Sequence, residues 1–370
     1  MSKFRMRWIE FRNRRLGDPW FQRWAAGFWL TRGKARAEAQ ELFDLVAGFV
    51  ASQILVAVIE LGICERLVTN MVSVEELAGE NKIPVESMRR LLRGAAALGL
   101  VEGVGKSYTL GAKGAALLGN PGVGAMVRHH RHFYADMADP VALLRRGGGG
   151  GALAGYWSYA RREGAVSPGE VAGYSELMAA SQPMVAEQVT AAYPLHQHRR
   201  LLDVGGGEGR FVRAVAAAAP WLDLAVFDLP AVAERARPIL DAAGLERVQT
   251  HGGSFFEDTL PRGFDLITLV RILHDHDDGP ALSLLRNIHA ALPPGGTLLI
   301  AEPMASDDPS SVGDVYFGFY LLAMGQGRAR TPGEIMALLA EAGFEKPRHI
   351  GTPLPLAAQI ITSKKPVQPG

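Results

Sequence analysis

Eleven residues, LLDVGGGEGRF from Leu201 to Phe211, constrain this chain more than any other stretch. Leu201, Leu202 and Val204 read as a short buried parallel strand. Gly205, Gly207 and Gly209 let the backbone turn tightly and approach a ligand, and Phe211, Val212, Ala214 and Val215 then open a helical apolar face. Strand, glycine turn and helix in succession make a nucleotide-binding element. A dinucleotide fingerprint wants a third glycine or alanine where Arg210 stands, which weakens the case for a pyrophosphate ligand.

Downstream, apolar runs at 224–228, 248–251, 264–270, 297–302, 349–351 and 359–363 alternate with helical patterns. This predicts an α/β fold with a doubly wound, Rossmann-like sheet, whose last two strands pair as an antiparallel edge. Ligands of such a sheet sit beyond the carboxyl ends of its strands, so the residues closing each strand are the candidate site. Asp228, in VFDLP with Leu229 after it, lies where a carboxylate takes ribose hydroxyls. Ser254 and Phe255 close the third strand and are placed to border an adenine. Arg271, His274 and Asp275 follow the fourth strand in VRILHDHDD, and Glu302 ends the fifth.

His274 is the candidate general base, because an imidazole with an ordinary pKa of about 6.5 keeps a substantial neutral fraction near neutrality. Glu302 is placed to orient it and to stabilise the imidazolium. A metal site at His274–His276 lacks a third ligand, and adjacent strand residues point apart, so no metal is expected.

Upstream, 37–67 is strongly helical, and the apolar run at 45–59 reads as a buried helix whose apolar surface is too wide for one stripe, as a dimer interface would require. Residues 72–118 read as helix, turn, helix and a two-strand wing. Arg89, Arg90 and Arg93 lie there among leucines and alanines, and the net charge of the chain is only +1, so a dimerising role is favoured over nucleic-acid binding. The first forty residues hold ten Lys and Arg and four of the six tryptophans, a mixture that suits either an anionic membrane surface or packing on a partner subunit. A histidine-rich segment at 129–134 reads as polar helix surface or pocket wall. The five glycines at 147–151 read as a flexible loop, and Met178, Ser181 and Met184 as pocket or core. The parts are therefore an arm (1–36), a helical and winged-helix-like region (37–120), a helical linker with pocket residues (121–195) and a nucleotide-binding domain (196–365). A single cysteine, Cys64, suits a reducing compartment, and no secretory signal or membrane-spanning run is read, so a cytoplasmic location is expected, with the arm allowing a peripheral place at a membrane.

Asp203 two residues before three alternating glycines resembles the first motif of S-adenosylmethionine (SAM) methyltransferases. LLDVGGGEG, VFDLP, ILHD and LIAEP in that order resemble the small-molecule O-methyltransferases that include the plant phenol-methylating enzymes. The arm FRNRRLGDPWFQRWAAGFWLTR and the following ELFDLVAGFVASQIL are similar to the hydroxycarotenoid O-methyltransferases of phototrophic bacteria. The resemblance implies SAM as cofactor, held by Asp203, Gly205, Gly207, Asp228, Leu229, Ser254 and Phe255, and places Arg271 at the adenine position where plant members carry tryptophan, a departure that changes this contact. It also implies a homodimer, a catalytic group of His274, Glu302 and Asp275, and a hydrophobic acceptor such as a hydroxylated carotenoid. Plant members carry a glutamate where Ala329 precedes Arg330 and Thr331, so Glu302 is expected to support His274 alone. A polyketide or phenolic acceptor, carbon methylation of a bacteriochlorophyll-type macrocycle, and a ligand-sensing winged-helix regulator are the competing readings.

Overall fold

The chain folds into two compact units, Met1–Leu118 and Gly119–Gly370, in a computed structural model that describes residues 3–160, 182–306 and 312–367. The first unit begins with helices α1 (Lys3–Leu16), α2 (Pro19–Gly27) and the long α3 (Arg32–Glu60), followed by the short α4 (Ile63–Arg66). Strand β1 (Val72–Ser73), helices α5 (Val74–Asn81) and α6 (Val85–Ala97), strands β2 (Val101–Val104) and β3 (Ser107–Leu110) and helix α7 (Ala112–Leu118) complete it. Its small antiparallel sheet has the order β1-β3-β2. Met88, Leu92 and Ala95, at helical spacing on α6, are fully buried against Val58, Leu67 and Leu77. At the crossing of α3 and α6, a Cβ on Gly94 would lie 2.6 Å from Ile54 Cδ1, so the glycine sets how closely these helices approach. On the outer side, Arg89 is held by Glu75 at 3.3 Å and Glu86 at 3.4 Å, and Arg90 by Glu86 at 3.6 Å. Two of the three arginines of that helix are thus matched by carboxylates of the same unit.

The long helix α3 keeps an apolar face that its own chain leaves uncovered. The run at 45–59 is helical, but within one chain it is not a buried helix: of α3 only Val58 and Ile59 are buried, while Leu45 is 80 % and Phe49 71 % exposed. Length and apolarity alone would also let this helix cross a membrane, a test that interface helices pass equally.

The second unit opens with helices α8 (Pro121–Met137), α9 (Pro140–Arg145), α10 (Ala152–Ala160) and α11, whose described part is 182–192. Met178 and Ser181 lie outside the described residues. The glycine run is no slack linker. Gly149 donates to the Leu322 carbonyl at 2.9 Å, and Cβ atoms on Gly148 and Gly151 would run into Leu322 and Asp136. Gly147 to Gly150 all have positive φ, so the run packs in a conformation that other residues resist.

The sheet follows: β4 (Arg200–Val204), α12 (Arg210–Ala218), β5 (Asp223–Asp228), α13 (Pro230–Ala242), β6 (Gln249–Gly252), β7 (Leu266–Val270), α14 (Asp278–Ala291) and β8 (Thr297–Glu302). Helices α15 (Val312–Met324) and α16 (Pro332–Glu341) precede β9 (Glu345–Ile350) and β10 (Gln359–Lys364). The order is β6-β5-β4-β7-β8-β10-β9. The chain reverses direction across the sheet between β4 and β7, and the crevice beyond their carboxyl ends is where such sheets bind ligands. β10 runs antiparallel to both β8 and β9, which gives the expected antiparallel edge. Alternation along the strands sends Leu201 and Val226 to one buried face, and Leu202 and Val204 to the other.

Candidate active site

At the mouth of β4 the turn is built from an acid beneath and bare backbone above. Asp203 is 1 % exposed and accepts the Thr268 hydroxyl at 2.7 Å. Its Oδ2 lies 2.6 Å from where a Cβ on Gly206 would stand, so the carboxyl fills the underside of the turn. Burial pushes its pKa up to about 7, although the Thr268 bond lowers it, so any cation brought to the turn would favour the ionised form. Gly205 has φ +72 and a Cβ there would sit 2.5 Å from Ile272 Cδ1, which brings the turn against the segment leading to His274.

Across the turn, Asp228 at the end of β5 accepts from the Gly207 amide at 2.8 Å and the Leu229 amide at 2.7 Å. Burial pushes the Asp228 carboxyl up and these two donors pull it back. A carboxylate has about four acceptor sites, so sites remain for a ligand hydroxyl. Space above Gly207 is open, since a Cβ there would meet nothing within 4 Å.

Ser254 and Phe255 follow β6. The Ser254 hydroxyl accepts from the Phe256 amide at 3.3 Å, so it caps its own turn. Phe255 and Phe256 stand edge-on to the His276 ring at 5.7 and 5.1 Å, forming an aromatic border to the mouth. Nothing in the sequence pattern marked Phe256 or His276 for this place.

After β7, Arg271 adopts φ +59, a strained conformation for a side chain of its size. Its charge acts on Asp275 and Tyr316. Residues Leu273–Asp275 then form a single 3-10 turn. This turn brings adjacent side chains together: His274 Nε2 is 3.2 Å from Asp275 Oδ1. On its other side Nδ1 is 3.3 Å from Glu302 Oε2, without the alignment of a hydrogen bond, while the same oxygen accepts the His274 amide at 3.0 Å. The expectation that Glu302 supports the ring alone is therefore corrected, because Asp275 supplies a second carboxylate. Burial by itself would lower the imidazole pKa, but Asp275 and then Glu302 outweigh it and raise it to about 10. Burial would likewise raise the Asp275 carboxyl, and the His274 pair brings it below the ordinary value.

The turn is held from behind by residues that the sequence did not single out for this role. Arg330, fully buried, donates to the carbonyl oxygens of Leu273 at 3.0 Å and His276 at 2.8 Å, and to Asp278 at 2.7 Å. Gln326 donates to the Asp275 carbonyl at 2.9 Å, and a Cβ on Gly327 would run into the His274 carbonyl. Ala329 packs with the apolar cluster of α15, and Thr331 closes a capping box with Glu334 at the start of α16. In the histidine-rich segment of α8, His129 and His130 each lie 2.7 Å from a tyrosine hydroxyl of α15, Tyr320 and Tyr316 respectively. His129 is buried and so belongs to an interior wall rather than to a polar surface. Among the described residues no group of three or more His, Cys, Asp or Glu is arranged to hold a metal.

A glycine turn over a buried acid, a second acid one strand away and a clasped histidine at the same mouth define a nucleotide-dependent group-transfer enzyme. The O-methyltransferase domain family matches residues 150–345 and the O-methyltransferase dimerisation domain matches 43–120, and the chain belongs to the SAM-dependent O-methyltransferases. It is 43 % identical over 338 residues to the demethylspheroidene O-methyltransferase of Cereibacter sphaeroides, covering 90 % of this chain and 88 % of that protein. It is 42 % identical to that of Rhodobacter capsulatus, over 89 % of this chain and 83 % of the relative. Among solved structures, mitomycin 7-O-methyltransferase superposes with TM-score 0.75 at 26 % identity, covering 90 % of this chain and 99 % of that one. Human N-acetylserotonin methyltransferase, solved in complex with SAM, shares the fold with TM-score 0.75 at 24 % identity, over 89 % of this chain and 98 % of that one. The cofactor is SAM, and the bare turn, the open space over Gly207 and the remaining acceptor sites of Asp228 fit it.

Proposed function

We propose that this enzyme methylates the hydroxyl of a hydroxylated carotenoid, of the demethylspheroidene type with a tertiary alcohol, using His274 as general base and working as a homodimer. The observation that carries the base assignment is the clasp of His274 between Asp275 and Glu302, beside the glycine turn. SAM, when bound, supplies an activated methyl group on a cationic sulfur, so the protein must chiefly align the acceptor oxygen and take its proton.

A tertiary alcohol is about as reluctant to ionise as bulk water, with a pKa of about 15.7, so proton loss to the imidazole accompanies methyl transfer. Asp275 occupies Nε2, while Glu302 backs Nδ1 from a fully buried position. In this reading an entering hydroxyl takes the place of Asp275 at Nε2. The imidazole pKa then falls and the neutral, proton-accepting ring becomes populated. Glu302 stays to stabilise the imidazolium that forms.

The acceptor assignment rests on the names of the two bacterial relatives and on the apolar, aromatic character of α15, whose Tyr316, Phe319, Tyr320 and Met324 pack with Phe133 and Leu153. The homodimer rests on the dimerisation-domain match and on the exposed apolar face of α3. Purified enzyme incubated with labelled SAM and carotenoid extract is expected to yield a methoxy-carotenoid one methyl heavier by mass spectrometry. Exclusive turnover of phenolic or macrocyclic acceptors would overturn the acceptor assignment.

A further inference from the structure

The arm that precedes the matched dimerisation domain carries a surface of its own. On α1, Phe4, Trp8 and Phe11 recur at i, i+4 and i+7 and are 82 %, 58 % and 53 % exposed. Helical spacing puts Arg7 and Arg14 along one side of this aromatic stripe and Arg5 and Arg12 along the other, while the Arg15 guanidinium lies over the Phe11 ring at 5.6 Å. No residue of α1 is buried. Asp18 caps α2 through the Trp20 and Phe21 amides. α2 packs along α3 with Ala25 buried, and it leaves Trp20 and Trp24 exposed, as is Trp29 just beyond. Residues 3–31 hold seven cations against two acids, Glu10 and Asp18.

We propose that this arm seats the enzyme on an anionic lipid bilayer, with the indoles and phenylalanines at the interface and the flanking arginines on lipid phosphates. Two features choose this occupant. Aromatic rings flanked on both sides by arginines match the two chemistries of a headgroup layer, apolar below and anionic above. A second copy of this chain would bring an equally cationic arm, and the face that suits a second copy is the uncharged one of α3, inside the matched region 43–120. The surface is read from residues 3–31 alone. Its use in delivering an acceptor dissolved in lipid rests on the apolar-acceptor reading above.

The test is flotation of the full-length enzyme with vesicles of equal parts phosphatidylglycerol and phosphatidylcholine, against phosphatidylcholine alone. Binding is expected only to the anionic vesicles and is expected to weaken with salt. Replacing Arg5, Arg7, Arg12 and Arg14 by glutamine is expected to lower it about tenfold or more, whereas lysine at the same positions retains it. Serine at Trp8, Trp20 and Trp29 is expected to lower it comparably. Both sets are expected to leave SAM affinity and turnover of a detergent-dispersed acceptor unchanged. A wrong acceptor assignment would therefore appear as inactivity of the unsubstituted enzyme, whatever the vesicles show. Absence of vesicle binding, binding indifferent to phosphatidylglycerol, or binding that survives both sets overturns the proposal. So does a tryptophan variant that becomes monomeric while still floating, since the arm would then belong to the subunit contact.

Discussion

Asp275 Oδ1 stands 3.2 Å from His274 Nε2, so the carboxylate that raises the imidazole pKa also occupies the ring nitrogen that the proposed mechanism assigns to the acceptor hydroxyl. The pair holds a proton on the ring, whose pKa is raised to about 10 with Glu302 contributing. A group raised in the folded state is protonated below that value, so its base form grows as pH rises toward it. The acid limb of kcat/KM is expected above the ordinary histidine value of about 6.5. Asp275→Asn is expected to shift it to lower pH while SAM affinity holds. A pH–rate profile that the substitution leaves in place would remove His274 as the titrating base.

His274→Ala is expected to keep SAM binding, measured by calorimetry, and to lose about 100-fold or more in kcat, the scale of a general base. Full turnover in that variant would sink the enzymatic role of the ring.

Arg330→Met would leave the Leu273 and His276 carbonyls without their donor and Asp278 without a buried partner. Asp278 is half exposed and keeps Arg328, so the cost lies in the carbonyls left without a donor, about 1–3 kcal/mol for each that is buried, and a clear drop in the urea midpoint is expected. Arg330→Lys is expected to rescue stability only in part, because an ammonium cannot reproduce the fork. An unchanged midpoint in Arg330→Met would show that the guanidinium does not hold the turn.

Within the glycine turn two substitutions of equal size separate two causes. Gly206→Ala places a Cβ 2.6 Å from Asp203 Oδ2 and 2.9 Å from Val226 Cγ1, both buried, and is expected to weaken SAM binding strongly. Gly207→Ala meets open space and only the strain of φ +56, about 1–2 kcal/mol. The reverse order of SAM affinities would mean that Gly207 faces the ligand more closely than its surroundings indicate.

Leu45→Glu with Phe49→Glu charges an α3 face that is exposed in one chain. Light scattering is expected to show a monomer. A persistent dimer would place the subunit contact elsewhere.

The strand, turn and helix from Leu201 to Phe211 were legible because backbone conformation there follows from apolar spacing and from residues without a Cβ. The antiparallel edge was legible for the same reason, in the terminal strands at 349–351 and 359–363. The glycines at 147–151 were misread as slack, because composition does not tell whether positive φ serves freedom or close packing against Leu322 and Asp136. The apolar run at 45–59 reads as a helix that must be covered, and the structure shows that its own chain does not cover it, because periodicity shows that a face needs burial but not by which chain.

The sequence by itself determined the order of the elements, the ligand-binding mouth and the chemical types arrayed there, since each depends on residues within a few positions of one another. The tertiary structure alone decided the surroundings of His274. Glu302 comes to His274 from the neighbouring strand β8, Arg330 reaches back to Leu273 across two intervening helices and a strand, and a 3-10 turn folds Asp275 onto the ring beside it. Ionisation depends on distances through a desolvated interior, and such distances between residues far apart in the chain are fixed only when the sheet has closed around them.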